Sequence, residues 1–168
     1  MRKTIISIAS LLSLFISALA FADASQTKTE AAYKIQYETG GLQATTSPDG
    51  KLTALKDPNN EIAFFIQLAD TNDPSKAMAP LDEFMKKVVK NVKPVGQPQK
   101  TKFNGMDAVK ITATGELVEM PKNVKIAILL LQTPANKYVG VVALVDTAKE
   151  ANWTATFGKV INSFQPIK

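Results

Sequence analysis

The 168-residue chain contains no histidine and no cysteine, and each absence removes chemistry. Without histidine there is no imidazole base and no imidazole metal ligand. Without cysteine there is no thiolate nucleophile, zinc knuckle, iron–sulfur cluster or disulfide. Arginine occurs once, at Arg2, and tryptophan once, at Trp153. No run of about 18 apolar residues follows the N-terminal segment, so the mature chain is expected to be soluble and without a transmembrane segment.

What is present begins with a leader. Met1-Arg2-Lys3 is positive, Thr4 to Ala18 is apolar apart from Ser and Thr, and both Ala18-Leu19-Ala20 and Ala20-Phe21-Ala22 satisfy the small-x-small pattern. Residues 1–22 therefore read as a secretory signal peptide cleaved before Asp23. No cysteine follows, which excludes a bacterial lipoprotein and leaves a periplasmic or secreted location. Loss of Arg2 and Lys3 leaves 18 lysines against 15 acids, a net charge of +3 with no arginine. That balance argues against nucleic-acid recognition, which leans on bidentate arginine. The remaining 146 residues (23–168) suit one domain, able to bury about 68–70% of its unfolded surface without disulfides.

Along that domain, residues 23–32 are polar and aperiodic and are expected to form a loose tail. Tyr33, Ile35 and Tyr37 alternate with polar residues, the period of a strand with one wet face. Leu42 to Ser47 and Lys51 to Lys56 are strand candidates around the turn Ser47-Pro48-Asp49-Gly50. After Asp57-Pro58-Asn59-Asn60, a strand from Glu61 to Ala69 carries a fully apolar face: Ile62, Phe64, Ile66 and Leu68. Asp70 to Ala77 reads as a loop, and Pro80 as the first turn of a helix. Leu81, Phe84, Met85, Val88, Val89 and Val92 make one helical stripe that ends near Lys93, before Pro94.

The second half holds two hairpins. Asn104-Gly105 joins Gln99–Phe103 to Met106–Val118, because that dipeptide supplies two positive-φ residues. Val109, Ile111, Ala113 and Leu117 are expected to share its inward face, and Lys100 and Lys102 to mark a protected edge. Thr133-Pro134-Ala135-Asn136 joins Asn123–Gln132 to Lys137–Val145, two strands apolar on both faces that must be covered on both. Thr147-Ala148-Lys149-Glu150 fits a capping box. Trp153, Phe157, Val160, Ile161 and Phe164 form the stripe of a second helix, where Gly158 suggests close approach to the sheet. The expected fold class is α+β: an antiparallel sheet of about six to eight strands with one helix on each face, a three-layer α/β/α sandwich in the order ββββ-α-ββββ-α.

The strand-rich first half, the amphipathic helix after a loop, the Gly105-centred hairpin entering Ala108 to Thr114, and the terminal Val160-Ile161-Asn162-Ser163-Phe164 together resemble the PsbP-like superfamily. The resemblance covers roughly Tyr33 to Phe164, and the group includes photosystem-associated proteins, nuclear Ran-binding relatives and small exported bacterial proteins of the DcrB type. It implies an antiparallel sheet with helices on both faces and a binding or assembly role without catalysis. Histidines proposed as metal ligands in photosynthetic members have no counterpart here. The lipid-attachment cysteine of lipoprotein members is missing, and export excludes a Ran partner, so no functional residue carries over.

Candidate sites are few. Asp82 and Glu83 fall in the expected first turn of the helix with Lys86 and Lys87 four residues on, which accounts for both acids structurally. Ser47 and Ser75 have no histidine to activate them. Asp70, Asn72 and Asp73, with Thr71 between, put oxygen donors in one loop that could hold Ca²⁺, though without the glycine and distal glutamate of an EF-hand. Lys86, Lys87, Lys90 and Lys93 are expected along the outer face of the first helix, where they could meet anionic envelope components. Val118, Met120 and Pro121 form an apolar tip between the hairpins, and methionine suits an adaptable contact. Asn152-Trp153-Thr154 matches a glycosylation sequon inside the second helix, and Trp153 reads as core or core rim.

These readings converge on an exported bacterial envelope protein, a binding or accessory factor without cofactor, monomeric or weakly dimeric. One alternative is a carrier of a small apolar ligand, with a pocket among Phe64, Phe84 and Phe157. Another is a carboxylate-dependent hydrolase, which would need two acids converging in a cleft.

Overall fold

The structure, a computed structural model, describes residues 25–167; the expected leader lies outside them. Strands β1 (Thr27–Glu30), β2 (Ile35–Glu38), β3 (Gln43–Thr46), β4 (Leu52–Lys56) and β5 (Ile62–Ala69) precede helix α1 (Pro74–Val88). Then follow β6 (Val89–Pro94), β7 (Gln99–Phe103), β8 (Met106–Leu117), β9 (Asn123–Gln132), β10 (Tyr138–Asp146), helix α2 (Glu150–Ser163) and a two-residue strand β11 (Gln165–Pro166). The α+β class holds, with an eight-stranded antiparallel sheet and, among the described residues, two α-helices. The order of elements does not: strands appear at residues 27–30, 89–94 and 165–166 where none was expected.

The main sheet runs β3-β4-β5-β10-β9-β8-β6, and β7 shares the outer edge of β8 with β6. Its centre is β10, paired with β5 (Val141 opposite Ile66) and with β9 (Val141 opposite Leu129). Alternate residues of β10 enter two separate cores. Val139, Val141, Ala143 and Val145 join a cluster with Val160 of α2, while Val142 and Leu144 join one with Leu81 and Met85 of α1. Strands greasy on both faces are thus covered on both. The cover differs from one helix per face, because α2 shares its side with a second sheet, β1-β2-β11. There Tyr37 stacks on Phe164 with ring centroids 4.8 Å apart.

Three local departures from expectation have simple causes. The polar stretch expected as tail pairs with β2 (Thr27 opposite Glu38, Glu30 opposite Ile35), so its backbone is satisfied by a ladder that leaves no hydrophobic trace. Helix α1 starts six residues before Pro80, because Asp73 caps it: its Oδ1 accepts from the N–H groups of Ser75 (2.9 Å) and Lys76 (3.4 Å), with Pro74 at the first helical position. Pro80 lies inside α1 on an exposed position. The helix ends at Val88, since Val89 turns extended and pairs with Leu117. Val89 stays in the α1 core, whereas Val92 is 47% exposed.

The expected capping box at Thr147–Glu150 does not form. Thr147 Oγ1 donates to the Asn123 carbonyl and Glu150 pairs with Lys125, while Asp146 caps the short 3-10 turn Thr147–Lys149 through Ala148 N–H. Gly158 has no crowding that would require glycine; α2 instead packs closely on Gly40 through Val160, and α1 on Gly140, directly beneath Leu81. The Asn104-Gly105 turn forms as expected, with φ of 46° and 85°.

Candidate functional site

The lysines singled out in the sequence do not share one helix face. Lys86 and Lys87 lie on α1, but Lys90 and Lys93 lie on edge strand β6, because the helix has already ended. Lys86 pairs with Glu83 at 3.1 Å and Lys90 with Glu116 at 3.8 Å. Asp82 and Glu83 sit in the middle of α1, not in its first turn, so the helix dipole has little hold on them.

The oxygen-rich loop is tied into the fold. Asp73 is the α1 cap, and Thr71 Oγ1 accepts from Asp73 N–H at 3.1 Å. Asp70 bonds Lys137 at 2.8 Å, and that partner holds the Asp70 carboxyl below its usual range while raising the lysine. The Lys137 ammonium also sits 5.1 Å from the Tyr33 ring centroid. Asn72 is exposed beside them. Both carboxylates therefore already serve structural partners.

Met120 does gather neighbours. It borders an apolar recess of about 140 Å³ on the α1 side of the sheet, just past the end of that helix. Ala54, Ala63, Phe65 and Leu144 form the floor, and Val88 and Met120 the walls. Small residues on β4 and β5 make the depth, because α1 runs over β10 and leaves this end of the sheet uncovered. Lys87 and Lys56 stand on the rim with Glu61 and Glu119. The structure thus unites Met120 with Lys87 and separates both from Lys93.

The three phenylalanines expected to line one pocket lie on opposite faces. Phe64 meets Phe157 under α2 (5.8 Å between centroids), and Phe84 meets Phe65 under α1 (4.5 Å), since Phe64 and Phe65 are adjacent on β5 and point apart. Phe157 borders a cavity. It lines a groove of about 360 Å³ between α2 and the β8–β9 face, together with Trp153, Ala127, Thr112, Lys110 and Val95. Trp153 is held by its indole N–H, which donates to Glu61 Oε2 at 2.9 Å. Val95, 55% exposed, is pinned to β8 by two bonds: its N–H to the Thr112 carbonyl (2.9 Å) and Thr112 Oγ1 to its carbonyl (2.7 Å). Lys125 and Glu150, also on the groove wall, pair at 2.6 Å. Sequence reasoning missed this groove. Its signal was the row Lys110, Thr112 and Thr114, polar residues on a strand face that a covering helix would have required to be apolar.

Deeper in the α2-side core, burial pushes the Tyr37 hydroxyl up to about 12. The neighbouring Thr53 hydroxyl opposes that rise but is itself engaged with Thr46 Oγ1 at 3.1 Å, and the Tyr37 oxygen has no partner in hydrogen-bond geometry.

No protein-family model and no curated protein sequence matches the chain. Solved structures do. It is similar to cyanobacterial PsbP (CyanoP) from Synechocystis sp. PCC 6803, with 9% identity, a TM-score of 0.58, and coverage of 89% of this chain and 96% of that one. It is similar to PA94 of Pseudomonas aeruginosa, a protein of unknown function (10% identity, TM-score 0.52, 87% and 99% covered). It is also similar to LpqN of Mycobacterium tuberculosis, involved in cell envelope biogenesis (10% identity, TM-score 0.51, 96% and 98% covered). With a central antiparallel sheet, helices α1 and α2 in separate cores, and near-complete alignment to these three chains, the protein has the PsbP-like fold.

Proposed function

We propose that this chain is an exported bacterial envelope protein that works by binding rather than by catalysis, as an accessory or assembly factor. The observation that carries this reading is the recess around Met120. An apolar floor with an adaptable methionine wall and a charged rim is the anatomy of a contact site for another protein. The basic and apolar leader supports export. The likeness to LpqN, a protein involved in cell envelope biogenesis, supports the compartment. The partner is a protein or an anionic component of the envelope.

The test places a photo-crosslinking residue at position 120 in growing cells, followed by fractionation. The expected result is a processed chain in the periplasmic or secreted fraction and a discrete adduct from position 120 that a crosslinker at the remote edge residue Lys102 does not form. An unprocessed cytoplasmic chain, or identical adducts from both positions, refutes the proposal.

A second reading has its own observation. The groove between α2 and the sheet, at about 360 Å³, falls within the roughly 300–1,000 Å³ of small-molecule sites and supports a carrier of a small apolar ligand. The two readings use different faces of the sheet and are not exclusive.

A further inference from the structure

We infer that the groove beside α2 binds a single-chain anionic amphiphile of the fatty-acid class, with the chain along Trp153 and Phe157 and the carboxylate at Lys110. The inference rests on the carrier reading and names its ligand.

Three features of the groove select this chemistry. The first is an apolar track that is ordered before any ligand arrives. Trp153 is oriented by Glu61, and Phe157 is supported from below by Phe64. Preorganised aromatic walls lower the ordering cost of binding. The second is Val95. Its backbone is held to β8 by two bonds to Thr112, which keeps this apolar side chain, more than half exposed, on the groove rim. A chain lying in the groove would cover it.

The third feature is charge. The wall carries Lys110, Lys125 and Glu150, and the last two neutralise each other at 2.6 Å. Among the described residues Lys110 has no ion-pair partner, so the lining presents one uncompensated positive charge above an apolar floor. A monoanion matches it. A neutral alkyl chain leaves the ammonium unused, and a second anionic group would have to displace Glu150 from Lys125. The carboxylate end therefore lies toward β8 and the chain toward α2.

Trp153 is the only tryptophan in the protein and stands in the groove, so its emission reports occupancy directly. The purified protein is titrated with decanoate below its micelle concentration and, separately, with decanol below its solubility limit. The expected result is a saturable shift of emission with both, about fivefold tighter for decanoate, the size of one partly exposed ionic contact. Lys110→Gln should abolish that preference and leave decanol unchanged. Val95→Asp, at an exposed position, should weaken both ligands.

Equal affinity for the two ligands, or a preference that survives Lys110→Gln, overturns the ligand class and leaves the carrier reading standing. No shift with either ligand overturns both. Unchanged binding in Val95→Asp places the ligand elsewhere and refutes the site. Emission that depends on protein concentration without ligand assigns the groove to a second copy of the chain, which also refutes it.

Discussion

Adding a single methyl group at Gly140 tests the contact on which the α1 side of the fold depends. This glycine sits on the central strand β10 under α1, and a Cβ there would overlap Leu81 Cδ1 while lying 3.1 Å from Leu81 Cγ and 3.4 Å from Cδ2. Carbon atoms rest at about 3.5–4.0 Å, so either the helix lifts or the leucine leaves its rotamer. Leu81 is 2% exposed and neighboured by buried Met85 and Val142, which denies it an easy escape. Where the backbone tolerates it, Gly→Ala stabilises by about 0.4–1 kcal/mol through the unfolded chain. Overpacking of a dense core costs about 1–3 kcal/mol, and here it outweighs that gain.

Gly140→Ala should therefore lower the urea midpoint with an unchanged m-value. Leu81→Ala alone, by opening a cavity, should cost about 2–5 kcal/mol. In the double variant the new methyl occupies part of that cavity, so the combined loss should fall short of the sum by about 0.5–3 kcal/mol. Gly140→Ala at or above wild-type stability, or losses that simply add, would show that α1 does not rest on β10 through this pair.

Two further outcomes follow from the same structure. Tyr37 keeps its proton to about pH 12 in the folded state, whereas an unfolded tyrosine ionises near pH 10. Its contribution is intact below pH 10 and withdrawn as pH climbs from about 10 to 12, by roughly 2–3 kcal/mol in all; Tyr37→Phe should lack that alkaline loss in urea melts, and a parallel loss in the variant counts against it. Asp73→Ala removes the α1 cap and should cost about 1 kcal/mol by the same assay, with the secondary structure retained in circular dichroism; an unaffected midpoint would contradict the cap.

Much of the fold was legible because the relevant signals are local. The Asn104-Gly105 turn announces its hairpin through backbone dihedrals that few other residues adopt. The run Ile126 to Leu131, apolar at odd and even positions, demands cover on both faces wherever it sits. Other assignments failed where two periods coincide. Val88-Val89 fits a helix stripe and a strand equally well, and only the availability of Leu117 as a partner made Val89 extended. Lys90 and Lys93 left the helix with it. The polar residues 27–30 carried no period, and the open edge of β2 recruited them.

The candidate sites divide along the same line. Met120 stood out in the sequence because a methionine in the apolar tip Val118 to Pro121 between two hairpins suits an adaptable contact. The recess it borders and the groove at Trp153 were invisible there, since both are places where a helix stops short of covering the sheet. Composition and spacing by themselves determined the chemistry excluded, the double-sided central hairpin and the α+β class, because each is written within a few residues. Only the tertiary structure decided where α1 begins and ends, which strands join which sheet, and which apolar surface stays open. Those outcomes depend on the footprint of one element on another, and a footprint is a property of packed surfaces rather than of any segment alone.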